Sequence, residues 1–232
     1  CREAGYAVPT PIQHTAIPLL LRGQDLLALA PTGSGKTAAF ALPLLQRLIT
    51  AQPQAPRPVR VLVLVPTREL AVQVGQTFQR LGVHAPHRLK VAVLHGGVSP
   101  NPQMMALRGG ADVVVATPGR LLDLLDKNAL RLGSVETLVL DEADRLLDLG
   151  FADERERVLA VLPARRQTLL FSATFPPAVQ ALADGLLREP VRLDATAEPR
   201  LAPVIAQQVV VVEAPRRTEL LRPLIAQEGW RR

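Results

Sequence analysis

The chain has 232 residues, 48 % hydrophobic and only 3 % aromatic, with 27 Lys plus Arg against 21 Asp plus Glu and a net charge of +6. That length suits one α/β domain with a substantial core, built from Leu, Val and Ala, plus a remnant of a second domain. The single cysteine, Cys1, excludes an intramolecular disulfide and a cysteine-based zinc cluster, no apolar run approaches a membrane span, and the mild positive charge favours a polyanion partner without demanding one.

Short Val/Leu runs alternate with longer amphipathic stretches, which predicts an α/β fold: a doubly wound, mostly parallel sheet with helices on both faces. In chain order the expected strands are Asp25 to Leu29, Val59 to Val65, Lys90 to Leu94, Asp112 to Ala116, Thr137 to Leu140 and Gln167 to Phe171. Expected helices between them include Lys36 to Ile49, Glu69 to Leu81, Leu121 to Leu125, Glu154 to Leu162 and Ala178 to Leu187. His84 and His87 fall in a polar loop with no metal-ligand spacing. Each strand stops at a polar or Gly/Pro-rich turn: APTGSG, PTRE, HGG, TPGR, DEAD and SAT. The carboxyl ends of parallel strands face one edge, where ligands bind, so six such turns predict one site.

After Leu193 the composition becomes rich in Pro and Ala, as in a linker. The expected organisation is a first domain over 1–194, a linker over 195–205, and a strand (Ala206 to Val212) and helix (Arg217 to Gln227) over 206–232. One strand and one helix bury no core of their own, so they open a second domain or, alternatively, fold back as a terminal hairpin. The sequence begins without Met, so a preceding targeting segment stays open; cysteine usage and the lack of an apolar span favour the cytoplasm.

Ala30 to Thr37, APTGSGKT, follows a strand and opens a helix, the setting a phosphate-binding loop requires. Gly33 and Gly35 allow the tight turn that points N–H groups of Thr32 through Lys36, Ser34 included, at phosphate oxygens. Lys36 supplies a compact charge for the β- and γ-phosphates of ATP, and the Thr37 hydroxyl suits Mg²⁺. Downstream, Val135 to Leu140 ends in Asp141-Glu142-Ala143-Asp144. Carboxylates there suit a metal, Asp141, and a base for the attacking water, Glu142. Taken alone, the same residues would read as an acidic helix start.

Taken together, the chain resembles the DEAD-box RNA helicases, motif by motif and in order. Gly5, Tyr6 and PTPIQ ending at Gln13 resemble the Q motif, and APTGSGKT motif I. PTREL at Pro66 to Leu70 is similar to motif Ia, Gly96-Gly97 to the GG doublet, TPGR at Thr117 to Arg120 to motif Ib, DEAD to motif II, and SAT at Ser172 to Thr174 to motif III. His95 to Leu125 and the terminal Gly229-Trp230 resemble the RhlE-like bacterial branch. The resemblance implies a RecA-like P-loop NTPase domain that binds ATP and Mg²⁺.

It implies roles as well. Gln13 would read the adenine edge, and Tyr6 would offer a face to the base or else be a core aromatic. Pro66, Thr67, Arg68, Gly96, Gly97, Thr117, Pro118, Gly119 and Arg120 would line a groove for the RNA backbone, indifferent to sequence. Asp144, Ser172 and Thr174 would couple hydrolysis to movement against the second RecA-like domain; taken alone, SAT is also an ordinary strand-end hydroxyl turn. Arginine-bearing motifs of that second domain are not in this sequence, so the chain by itself is expected to bind ATP weakly and hydrolyse it negligibly. A DNA-directed helicase and a nucleotide-gated binding module are the competing readings.

Overall fold

Seven short segments, all but the last largely apolar, pair into one all-parallel sheet: β1 (Leu26–Leu29), β2 (Val61–Leu64), β3 (Val91–Leu94), β4 (Val113–Ala116), β5 (Thr137–Leu140), β6 (Gln167–Ser172) and β7 (Val191–Asp194). The computed structural model describes residues 5–52, 54–195 and 209–227, and the chain divides into two compact units, residues 1–198 and 199–232. The first contains the whole sheet, in the order β3-β4-β2-β5-β6-β1-β7.

Every strand except the edge strands β3 and β7 is buried along its length, because helices cover both faces. Successive residues point to opposite faces, so each strand feeds two cores. Leu62, Leu64, Val114, Leu138 and Leu140 pack with Leu121 and Leu124 of α5 (Pro118–Asp126), Val158 of α7 (Ala152–Ala160) and Val179 and Leu182 of α8 (Pro177–Leu186). Val61, Val63, Val113, Val115 and Val139 pack with Ile12 of α1 (Pro11–Leu21), Phe40 and Leu44 of α2 (Lys36–Thr50) and Val74 and Phe78 of α3 (Arg68–Gly82). Rings matter more to this second core than the composition suggests: Phe40 lies 5.3 Å from Phe171 and 6.1 Å from Phe78, both tilted.

All six expected strands form, several starting a residue or two later than their apolar runs predict. Asp25 and Asp112 lie just outside β1 and β4, where their carboxylates accept backbone N–H groups from Thr168 and Lys90 at 2.8 and 2.7 Å. These aspartates close the amino ends of the sheet. The seventh strand is unexpected; β7 hydrogen-bonds alongside β1, with Leu26 opposite Val191. Also beyond the expected set are α1, which carries a proline at position 18, and the short helices α4 (Pro100–Ala106) and α6 (Ala143–Asp148).

In the second unit a 3-10 turn (Ala214–Arg216) precedes α9 (Arg217–Gln227), the helix expected there. Residues 209–212 are described and are not in a strand, and Val209 and Val211 are exposed. A lone strand has no neighbour to satisfy its backbone groups. The rest of that expected strand, the linker residues 196–205 and Gly229-Trp230 lie outside the described residues.

Candidate functional site

The strand order sorts the polar turns. At the carboxyl edge β5, β6 and β1 are neighbours, as are β3, β4 and β2, and the two groups meet where β2 pairs with β5. DEAD, SAT and the Gly/Lys loop are thus gathered on one half, and PTRE, HGG and TPGR on the other. Backbone ladders continue past the strand ends: Ala30 N–H donates to Ser172 O, Asp141 N–H to Leu64 O and Thr117 N–H to Leu94 O, each at 3.0 Å.

On the first half, Gly33 and Gly35 have φ of +80° and +94°, the left-handed geometry that L side chains resist, and Gly35 is the N-cap of α2. Lys36 is only 7 % exposed, and its ammonium donates to Ala30 O across the loop at 2.9 Å. Thr32 and Gly33 are exposed and Ser34 and Thr37 half-buried; the Ser34 hydroxyl is buried without a partner. Phosphate-sized anions suit such a cradle, because its donors converge at a helix start.

Gln13 sits beneath this loop, 4 % exposed. Its Nε2 donates to Gly35 O at 3.2 Å, and its Oε1 accepts from Thr10 N–H at 3.1 Å, the returning half of a capping box on α1. Tyr6 is half-buried rather than in the core. Its hydroxyl accepts from Arg80 at 3.1 Å, and the Arg80 guanidinium lies 5.9 Å from the ring centre.

Asp141 is 2 % exposed, and burial pushes its carboxyl up to about 6, the Lys36 ammonium pulling against that rise. The cation of one turn and the carboxylate of the other therefore feel each other directly. Glu142 has φ +53°, ψ +54°, a strained conformation for a residue with a side chain, and its carboxylate pairs with Arg145 at 3.2 Å. Asp144 accepts from the Thr174 hydroxyl at 2.8 Å and its N–H at 3.0 Å, while Asp144 N–H donates to Ser172 Oγ at 3.3 Å. Burial works to raise the Asp144 pKa, but the Thr174, Arg145 and Ser172 hydrogen bonds outweigh it and hold the group below the ordinary aspartate value. Asp144, Ser172 and Thr174 are thus one bonded cluster joining β5 to β6.

On the second half, Pro66 is buried and Thr67 caps α3, accepting from Leu70 N–H at 3.2 Å. Exposed Arg68 pairs with Glu69 and lies against Gly97, whose φ is +79°. Gly96 is half-buried. Thr117 and Pro118 are buried at the start of α5, and Gly119 is exposed. Arg120 is not at a loop tip: its side chain is 11 % exposed, donates to Val98 O at 2.8 Å and sits 3.6 Å from Asp123. It ties α5 to the loop that carries the GG doublet.

One residue in this half has no counterpart among the sequence motifs. Gln103, buried on α4, donates to His95 O at 3.0 Å and accepts from His95 N–H at 3.2 Å, a two-point clamp just before Gly96. Nothing local in the sequence marks it, because its partner lies eight residues away in a different element.

A hydrogen-bonded Gly/Lys cradle facing an acidic turn, on a parallel sheet with helices on both faces, defines a RecA-like P-loop nucleotide-binding domain. The chain belongs to the DEAD/DEAH box helicase family, whose sequence model matches residues 10–182. It is 50 % identical over 194 residues to the ATP-dependent rRNA helicase rrp3 of Sclerotinia sclerotiorum, covering 83 % of this chain and 39 % of that protein. It is 47 % identical over 212 residues to the ATP-dependent RNA helicase DeaD of Mycobacterium tuberculosis, covering 90 % and 36 %. The yeast DEAD-box splicing factor Prp28 superposes with a TM-score of 0.81 at 36 % identity, over 97 % of this chain and 54 % of that one. The chain therefore spans well under half the length of these curated relatives and corresponds to their N-terminal RecA-like domain.

Proposed function

We propose that the chain is the ATP-binding half of an ATP-dependent RNA helicase, working against a second RecA-like domain to separate short RNA duplexes. The observation that carries this reading is the adjacency of β5, β6 and β1, at whose shared carboxyl edge buried Lys36 and buried Asp141 lie near enough for the ammonium to oppose the rise in the carboxyl pKa. Lys36 would leave the Ala30 carbonyl for the β- and γ-phosphates, an exchange of one oxygen acceptor for stronger ones. Gln13 has both ends of its amide bound to protein, so reading adenine means sharing or exchanging one of them, which would link base recognition to the set of the loop. Glu142 would orient and deprotonate the attacking water, its strained backbone aiming the carboxylate.

The donor set suits Mg²⁺: the Asp141 carboxylate is buried with a single hydrogen bond, from Glu142 N–H, and Thr37 adds a second hard oxygen. Bound there with ATP, the ion would neutralise charge developing on the phosphates. The Asp144 cluster is suited to relay the state of the nucleotide from β5 to β6. Thr67, Arg68, Gly97, Thr117 and Gly119, with Pro66, Gly96, Pro118 and Arg120 as their support, would hold an RNA backbone. The RhlE-like bacterial branch and a cytoplasmic setting are also proposed, the first on His95 to Leu125 and the second on the single cysteine.

Two measurements test the proposal. A fluorescent ATP analogue should bind this chain weakly, and Lys36→Ala should abolish that binding. ATP hydrolysis by the full-length protein should rise with RNA; equal rates with RNA, with DNA and with neither would overturn the assignment.

A further inference from the structure

The amino edge of the sheet, opposite the site just described, has a character of its own. A cleft of about 590 Å³ opens there between the starts of β1, β5 and β6, walled by Gly23, Arg47, Gly133, Glu136, Arg165 and Arg166 among others. Arg166 also lines a smaller hollow with Arg188, just ahead of β7. The charge here is arginine, although the same positions would serve solubility equally well as lysine; the chain has only three lysines, Lys36, Lys90 and Lys127, none of them here.

Arg47 lies 4.0 Å from Glu136, but Arg165, Arg166 and Arg188 have no ion pair with a carboxylate among the described residues. Arg166 donates to Pro163 O at 2.7 Å and Arg188 to Ala164 O at 2.6 Å, bonds that place the guanidiniums without neutralising them. Arg166 Nε is buried with no acceptor at all. Burial first, and Arg188 beside it second, disfavour the charged form of Arg166, and the Asp25 carboxylate offsets this only in part. Exposed Arg165 and Arg22 have no ion pair among the described residues.

The nearby carboxylates hold stronger partners. Glu136 is held by two nitrogens of Arg60 at 2.8 and 2.9 Å and lies 4.0 Å from Arg47, and Asp25 takes the backbone N–H groups of Thr168 and Arg188. Folding has gathered cations and left an unfilled donor, an arrangement that a multivalent oxyanion relieves. Planar forks spread along an open cleft without an aromatic or large apolar anchor suit a repeating phosphate chain better than a peptide, whose hot spots need such anchors.

We infer that this edge, centred on Arg165, Arg166 and Arg188, is a second binding site for the phosphodiester backbone of RNA, reached by RNA that extends beyond the groove at the carboxyl edge. The inference rests on the reading of the protein as an RNA helicase, and it adds a site that none of the family motifs occupies. Such a site would retain long or structured RNA while the front site releases a short product. It reads no sequence, so its contribution appears in the salt dependence of binding.

The test uses the full-length protein with Arg165→Gln/Arg188→Gln, sparing half-buried Arg166. Affinity for a long structured RNA should fall about tenfold. The slope of log affinity against log salt should shrink by about 1.4, or about 0.7 for each single-strand phosphate that an arginine no longer neutralises. Binding of a short single-stranded oligonucleotide, and the ATP hydrolysis it stimulates, should not change. Arg165→Lys/Arg188→Lys should restore the salt slope, which counts charge, and part of the affinity, the rest being the contribution of the planar fork. Unchanged long-RNA affinity and slope would overturn the inference. So would equal losses on both RNAs that the lysine pair does not repair, or competition by polyglutamate as strong as by RNA. Failure of the helicase reading looks different, since the unaltered protein would then bind neither RNA.

Discussion

The side-chain amide of Gln13 donates to the backbone carbonyl of Gly35 at 3.2 Å, so the helix that opens the chain and a phosphate loop 22 residues later form one bonded unit. A Cβ placed on Gly35 would lie 2.5 Å from that same Gln13 nitrogen, at a backbone φ of +94°. Gly35→Ala should therefore push Gln13 out of its seat and strain the turn, costing on the order of 1–3 kcal/mol. Affinity for a fluorescent ATP analogue should drop at least about tenfold, with a lower thermal midpoint. Wild-type affinity in this variant would show that the Gln13 contact is incidental.

Asp141 should be a stability liability that function retains. Burial raises its pKa from 3.8 to about 6, a penalty on the order of 3 kcal/mol at neutral pH. Asp141→Asn keeps the acceptor for Glu142 N–H and removes the buried charge. With a chelator present at pH 7.5, its melting temperature should rise by about 6–12 °C, while metal-dependent nucleotide binding is lost. A melt at or below the parent's would contradict the desolvation argument.

Asp144 titrates the other way. Its folded pKa lies below the 3.8 of an unfolded aspartate, so its stabilisation is complete above that value and is lost as the pH falls through the lower, folded one. Thr174→Val removes the hydroxyl donor and should move the carboxylate pKa upward, seen by NMR titration. The accompanying loss of stability at pH 7 should stay under about 1 kcal/mol, because solvent screens a group this exposed.

Gln103→Leu should leave His95 N–H and C=O without partners, at about 1–3 kcal/mol if both stay buried. Hydrogen exchange across His95 to Val98 should quicken, and RNA affinity should fall about fivefold through the displaced Gly96-Gly97 turn. ATP-analogue affinity should be unchanged. Loss of both affinities together would mean the substitution had unfolded the domain rather than the loop.

Much of this fold was legible because parallel strands covered on both faces are uninterrupted Val/Leu runs, and each run here ends at a turn with its own chemistry. The strands β1 to β6 and most of the long helices could be read that way. Val191–Asp194 could not: VRLD is short, alternates and sits at an edge, and it becomes a strand only by pairing with β1. Residues 209–212 failed in the opposite sense, with the right composition and no strand among the described residues of their own unit to pair with.

Within the site, Lys36 and Asp141 were readable from motif and spacing, and the Asp144–Thr174 link only through the family resemblance. The inward turn of Arg120 onto Val98 and the clamp of Gln103 on His95 were not, since each joins residues from different elements.

Residue order by itself determined which segments become strands, which turns carry phosphate-binding glycines, a lysine or carboxylates, and that those turns share an edge. Those are local matters of side-chain type and backbone freedom. Only the tertiary structure decided that the sheet order separates the six turns into two groups of three, that Lys36 and Asp141 feel one another, and that Arg165, Arg166 and Arg188, without ion pairs among the described residues, collect on the far edge. Such relations depend on which strands lie side by side, and side-by-side pairing is settled by packing between parts of the chain remote in sequence.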